Sequence, residues 1–226
     1  MLHFLRQSVT FNDFFVTFAL IISNKMATTH SNIESNIKNL AGGELLFPTD
    51  FRGKGTEAAI KMTLSRLNKE GIINRLGHGI YVIPKKDPLF GEVLPPPEEI
   101  AMSFAKREHL RIKPAGANAL HKLGLTTQVP MKLVYLTDGT AREIKLGKTT
   151  IKFKPTTPKK LSLKGELSSL IIQALEELGT KNLGKDIENK IKTLLQKENP
   201  ADLQHDLKLT TAPIYDYLLK IYQHND

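Results

Sequence analysis

The sequence predicts an α+β protein in two parts, on three observations. Residues 31–84 read as helix, short helix, helix and hairpin in that order. Proline-rich stretches then punctuate the chain at 84–88 and 95–97, and a strand-rich middle beyond them gives way to an unbroken helical tail. At 226 residues the chain is long enough for one large domain or two small ones, each with a core. We divide it into residues 26–86, a proline-rich linker over 87–97, and a second domain over 98–226.

In the first part, Ser31 with Glu34 three residues on makes a capping box, and Ile33, Ile37 and Leu40 follow at helical spacing. Gly42-Gly43 stops that helix. Thr49 and Asp50 start a short second helix carrying Phe51, and Gly53 and Gly55 make a turn. Thr56 is placed as N-cap of a third helix through Glu70, with Ile60, Leu64 and Leu67 on its inner face and Gly71 as its stop. Two β-prone runs, Ile72 to Leu76 and Ile80 to Ile83, flank Gly77-His78-Gly79 and predict a hairpin. This order is that of a winged helix-turn-helix.

Because Pro84, Pro88 and Pro95 to Pro97 lack donors and restrict their predecessors, the linker reads as extended chain. A helix from Pro97 to Glu108, a strand at Leu110 to Lys113 and a helix from Ala115 to Leu123 follow. The runs Met131 to Thr137, Arg142 to Leu146 and Thr149 to Lys154 predict a small antiparallel meander. From Gly165 onward the pattern predicts four helices: Glu166 to Leu178, Lys185 to Lys197, Pro200 to Leu207 and Pro213 to Gln223.

The charge balance, 32 basic against 23 acidic residues, gives +9 and favours an anionic partner. In a winged helix-turn-helix the second helix of the motif enters the major groove and the hairpin lies by the backbone. The candidate reader is therefore Thr56 to Glu70. Met62, Ser65, Arg66 and Lys69 are expected outward, with Lys61, Thr63 and Asn68 on the flanks. Arg52 and Lys54 stand in the turn, and Arg75 and His78 on or near the wing. Arg66, Ser65 or Thr63 would meet bases and the other cations phosphates. Residues 31–97 hold nine basic and seven acidic residues, so local clustering must carry this reading. A winged helix can also serve only to dock another protein.

A denser basic run lies downstream. Arg142, Lys145, Lys148, Lys152, Lys154, Lys159, Lys160 and Lys164 face one acid, Glu143. Lys152 and Lys154 alternate with Ile151 and Phe153, so the lysines share one sheet face. Such a face serves solubility and edge protection, or it is a second anion-binding surface for DNA backbone, RNA or an acidic protein.

Catalysis finds no motif. Gly53-Lys54-Gly55 lacks the preceding strand and the spacing of a phosphate loop, the seven histidines form no ligand pattern, and no serine has a hydrolase elbow around it. We expect no enzyme activity, cofactor or metal. With no cysteine, disulfides and thiolate metal sites are excluded, and the cytoplasm is the expected compartment. The apolar run Phe14 to Ile22 is too short to span a bilayer as a helix. We read Met26 as the start and residues 1–25 as upstream translation.

The segments Phe47-Pro48-Thr49-Asp50-Phe51, Leu64-Ser65-Arg66-Leu67, Gly71-Ile72-Ile73-Asn74-Arg75-Leu76 and Gly79-Ile80-Tyr81 resemble the winged helix of AbiEi-type antitoxins. Pro88-Leu89-Phe90-Gly91, Pro114-Ala115-Gly116-Ala117, Gln128-Val129-Pro130 and Val134-Tyr135-Leu136-Thr137-Asp138-Gly139 resemble its DUF6088 branch. The resemblance implies an antitoxin of a type IV toxin–antitoxin pair, monomer or homodimer. Such a protein represses its own operon by binding operator DNA and counters a nucleotidyltransferase-like toxin. Many relatives carry a basic residue where this chain has His78, and an imidazole near pH 7 is a weaker phosphate grip than a permanent cation.

Overall fold

The computed structural model describes residues 29–223, and the reading of residues 1–25 falls outside them. The chain divides between Pro95 and Pro96 into two compact units, each mixing helices with small sheets, so the α+β class holds. Among the described residues, no helix is long and apolar enough to cross a membrane.

The first unit begins with α1 (29–38), which already runs through Ser31. Ser31 is therefore not its N-cap, and Glu34 serves an ion pair with Lys38 at 2.7 Å instead of a capping box. Strand β1 (Leu45–Leu46) follows, then a single 3-10 turn (Pro48–Phe51). The Asp50 carboxylate accepts the Phe47 N–H at 2.8 Å and so closes that turn. Helix α2 (Glu57–Lys69) starts where Thr56 Oγ1 accepts the Ala59 N–H. It ends in a Schellman pattern, with Ile72 N–H on Leu67 C=O and Gly71 N–H on Asn68 C=O. That turn needs φ +76° at residue 71, which glycine adopts without a Cβ penalty. Replacing Thr56 by Ala should cost this unit about 1 kcal/mol, read as a lower thermal midpoint.

Strands β2 (Asn74–Gly77) and β3 (Ile80–Val82) form the expected hairpin, with a register shift between Arg75 and Gly77. Sequence reading missed β1, which pairs antiparallel with the far edge of β3 to give the order β1-β3-β2. Two residues are too few to show a period. Ile33 and Ile37 of α1, Ile60, Leu64 and Leu67 of α2, Phe51, Ile73 and Tyr81 make the core of this unit.

The extended linker is corrected in part. Residues 85–93 form a hairpin of β4 (Lys85–Asp87) and β5 (Gly91–Val93). Asp87 Oδ1 accepts the Leu89 and Phe90 N–H groups across its turn, so a side chain supplies the acceptor that makes the turn form.

The second unit opens with α3 (Pro97–Arg107), β6 (Ile112–Ala115) and α4 (Ala117–Lys122). Its sheet adds β7 (Lys132–Thr137), β8 (Arg142–Leu146) and β9 (Thr149–Pro155) in the order β6-β7-β9-β8. The expected meander is wrong here, because β7 and β9 run parallel and β8 is displaced to the edge. Burial explains the order. Strand β9 offers Ile151 and Phe153, both fully buried, whereas β8 buries only Ile144. Phe153 packs on Phe104 of α3 with ring centroids 5.0 Å apart.

After the short α5 (Pro158–Leu161) come α6 (Glu166–Leu178), α7 (Lys185–Leu195), α8 (Pro200–Leu207) and α9 (Ala212–Gln223). They share a core built on Ile171, Ile172, Leu175, Ile191, Leu203 and Leu218. The start of α6 is held by two carboxylates. Buried Asp206 accepts Lys164 N–H at 2.7 Å, Gly165 N–H at 3.0 Å and Ser168 O–H at 2.5 Å, and Glu198 accepts Ser168 N–H at 2.7 Å. A Cβ at residue 165 would crowd Ser168 Oγ and the Glu198 carboxylate, so a larger residue there would displace the side chains that hold the start of α6.

Candidate functional site

Helix α2 presents two chemically different faces. Ile60, Thr63, Leu64 and Leu67 are buried, while Lys61, Met62, Ser65, Arg66 and Lys69 are exposed. Thr63 corrects the sequence reading. It is only 5% exposed, so it cannot meet a base edge. Lying three residues after Ile60 and four before Leu67, it falls on the inward stripe of a 3.6-residue period.

The remaining cations differ in how they are held. Lys61 forms an ion pair with Glu57 at 2.5 Å, and its ammonium holds the Glu57 carboxyl below the usual carboxylate range. Arg66 extends back along the helix, its Nη2 within 3.5 Å of Met62 Sδ. Lys54 lies over the Phe51 ring, 5.7 Å from its centroid. Arg52 is exposed beside the start of α2 and acts on Glu57 by charge. In the hairpin, Arg75 folds its Nε–H onto Gly77 C=O at 3.1 Å, and His78 is exposed at the tip.

Two contacts bind turn, helix and hairpin into one surface. The Asn68 side-chain oxygen accepts Arg75 N–H at 2.8 Å, fixing the end of α2 to β2. A Cβ on Gly79 would lie 3.9 Å from Pro48 Cδ, which places the hairpin tip by the 3-10 turn. Sequence reading left Asn68 on the flank. Its positioning bond joins residues seven apart across a helix stop, and no local pattern signals that.

The downstream basic run is not one surface. Arg142 is in register with Phe153, and its guanidinium lies 5.1 Å from the Phe104 ring centroid, on the sheet face opposite Lys152 and Lys154. Lys145 is on the exposed edge strand, Lys148 in the β8–β9 turn, Lys159 exposed on α5, and Lys164 exposed just before α6. Only Lys152, Lys154 and Lys160 line a common cleft of about 640 Å³. Lys132, which sequence reading missed, joins them from β7. Its alternation with Val134 was visible, but the parallel pairing of β7 with β9 that brings it there was not.

Among the described residues no group of histidines and carboxylates could hold a metal. No curated protein matches the chain. Its fold is similar to that in the crystal structure of the RV2827C protein from Mycobacterium tuberculosis, with a TM-score of 0.52 and 12% identity, over 88% of this chain and 76% of that one. A likeness at that identity concerns fold alone. The model of the family of unknown function DUF6088 matches residues 32–203. With most of its length covered by that match, the chain belongs to the DUF6088 family.

Proposed function

We propose that the first unit is a winged helix-turn-helix that reads double-stranded DNA, and that the protein represses its own operon as the antitoxin of a type IV pair. The observation that carries this reading is the outer face of α2. Ser65, Arg66 and Lys69 are exposed in consecutive turns of a helix whose inner face is locked in a core. Thr56 caps its start, and Asn68 ties its end to a hairpin with Arg75 and His78. Arg66 and Ser65 contact base edges, while Arg52, Lys54, Lys69 and Arg75 position the helix on phosphates. Lys61 is partly spent on Glu57 and contributes less.

The second unit counters a nucleotidyltransferase-like toxin, and both roles are exercised in the cytoplasm. The sequence resemblance to AbiEi-type antitoxins supports this part. The basic run from Arg142 to Lys164 supports a rival nucleic-acid surface poorly, since its members are divided between opposite sheet faces, a turn and a helix. A reporter driven by the DNA upstream of the protein's own gene tests the proposal. Expression of the full chain should repress it, and the Arg66→Ala/Lys69→Ala variant should not. Equal reporter output with and without the full chain would reject the repressor.

A further inference from the structure

Four lysines of the second unit stand in a row of steps on one face of its sheet. Strand β9 places Thr150, Lys152 and Lys154 on that face, and the register of its neighbours adds two more. Lys132 of β7 and Lys145 of β8 both pair with Thr150, one on either side of it. Lysines therefore occur at three successive levels: Lys132 with Lys145, then Lys152, then Lys154. Each level lies two strand residues, about 6.7 Å, beyond the last, so no single phosphate spans the row. We propose that this row binds the backbone of a single-stranded nucleic acid, laid along β9 with one phosphate at each level.

Spacing selects the ligand. A nucleotide repeat has as many backbone bonds as two amino-acid residues, so an extended strand advances one phosphate per lysine level. In a duplex each strand winds about the axis and advances only about 3.4 Å per nucleotide, so its phosphates curve away from a straight row. An acidic peptide could match the repeat but has the wrong backbone. Strand β9 lies between β7 and β8, which take its backbone hydrogen bonds. A peptide across this face therefore gains no main-chain pairing, the usual source of affinity for an added strand. A phosphodiester chain needs none.

The charges agree with one strand. Lys132, Lys145 and Lys154 are exposed and have no ion pair among the described residues. Lys152 is 3.5 Å from Glu143, the one acid on β8. Lys160 stays outside the row, since Glu176 holds it at 2.6 Å. Lys132, Lys152 and Lys154 also line the cleft of about 640 Å³, whose helical side carries Glu176 and Glu177. Those carboxylates repel a second phosphate chain and keep the first on the sheet side. Among the described residues no aromatic ring lines the cleft, so the bases gain no stacking and binding is indifferent to sequence.

Fluorescence anisotropy of the full chain with short oligothymidylate and oligouridylate tests the proposal. The two should bind within a few-fold of each other, with a Kd of about 10–100 µM near physiological salt. Contacts from the four lysines predict a slope of log affinity against log salt of about −3. Lys152→Gln/Lys154→Gln should cut that slope roughly in half and weaken binding about tenfold or more. Glu143→Gln, which frees Lys152, should tighten it. Arg66→Ala/Lys69→Ala should leave single-strand binding unchanged, and Lys152→Gln/Lys154→Gln should leave duplex binding unchanged, so this inference and the repressor reading fail separately. The proposal is overturned by wild-type single-strand binding in Lys152→Gln/Lys154→Gln or by binding of only one of the two oligonucleotides. Polyglutamate displacing both at equal charge concentration would also overturn it, in favour of an acidic protein.

Discussion

Asp206→Ala should lower the stability of the second unit by about 3 kcal/mol, because three donors, two of them buried, lose their acceptor at once. Lys164 N–H, Gly165 N–H and Ser168 O–H all end on this carboxylate, which is fully buried, and His205 Nδ1 lies 3.0 Å from it. For a unit of this size the loss corresponds to a fall of about 10 °C in thermal midpoint. Asp206→Asn keeps one acceptor oxygen and should lose roughly half as much. An unchanged midpoint in Asp206→Ala would show that the start of α6 is held by packing alone.

The same group sets a pH window. Burial alone would raise the Asp206 pKa, but hydrogen bonds from Ser168, His205 and the Lys164 and Gly165 N–H groups outweigh it and hold it below the ordinary carboxylate value. A carboxyl with a depressed folded-state pKa gives stability that is fully present above its unfolded pKa and is lost as pH falls through the folded one. Stability of the second unit should therefore hold down to about pH 4 and fall below it. Asp206→Asn should flatten that acid limb, and an identical limb in the variant would assign it to other carboxylates.

Arg66→Ala should cost about 1–3 kcal/mol of operator binding, concentrated at one base position. The reason is geometric. Arg66 is exposed on the outer face of α2, its guanidinium is held among the described residues only by a weak contact to Met62 Sδ, and its planar fork suits the two acceptors of a guanine edge. Binding to the natural operator should weaken, while binding to a duplex changed at that position should not. Uniform weakening on every sequence would make Arg66 a phosphate contact. Lys69→Ala is the internal control, expected to weaken all duplexes alike and reduce the salt slope by about 1.

What could be read from sequence was what local chemistry decides. Thr56, Gly71 and the apolar stripe of Ile60, Leu64 and Leu67 sufficed for α2, since cap, stop and period all act within a few residues. The C-terminal helices were legible from their helical pattern, although α6 and α7 start without a side-chain cap. What failed depended on distant partners. β1 is a strand only because Val82 and Tyr81 pair with it, and β9 takes the centre of its sheet because Phe104 packs on Phe153. The β4–β5 hairpin hid behind its flanking prolines, though Asp87 ahead of Pro88 was a turn signal. At the candidate sites, the outward set on α2 was legible except for Thr63, where a polar residue type masked an inward position. The basic run misled in the opposite way. Density along the chain placed Arg142 with Lys152 and Lys154, whereas strand alternation sets them on opposite faces.

The most direct test of the repressor reading is binding of the full chain to the DNA upstream of its own gene, against a scrambled duplex, across a salt series. The account predicts tighter binding to the upstream DNA that persists at physiological salt, with a modest slope set by the few cations around α2 and the β2–β3 hairpin. Equal and steeply salt-dependent binding to both duplexes would contradict it and leave a protein that senses only polyanion charge.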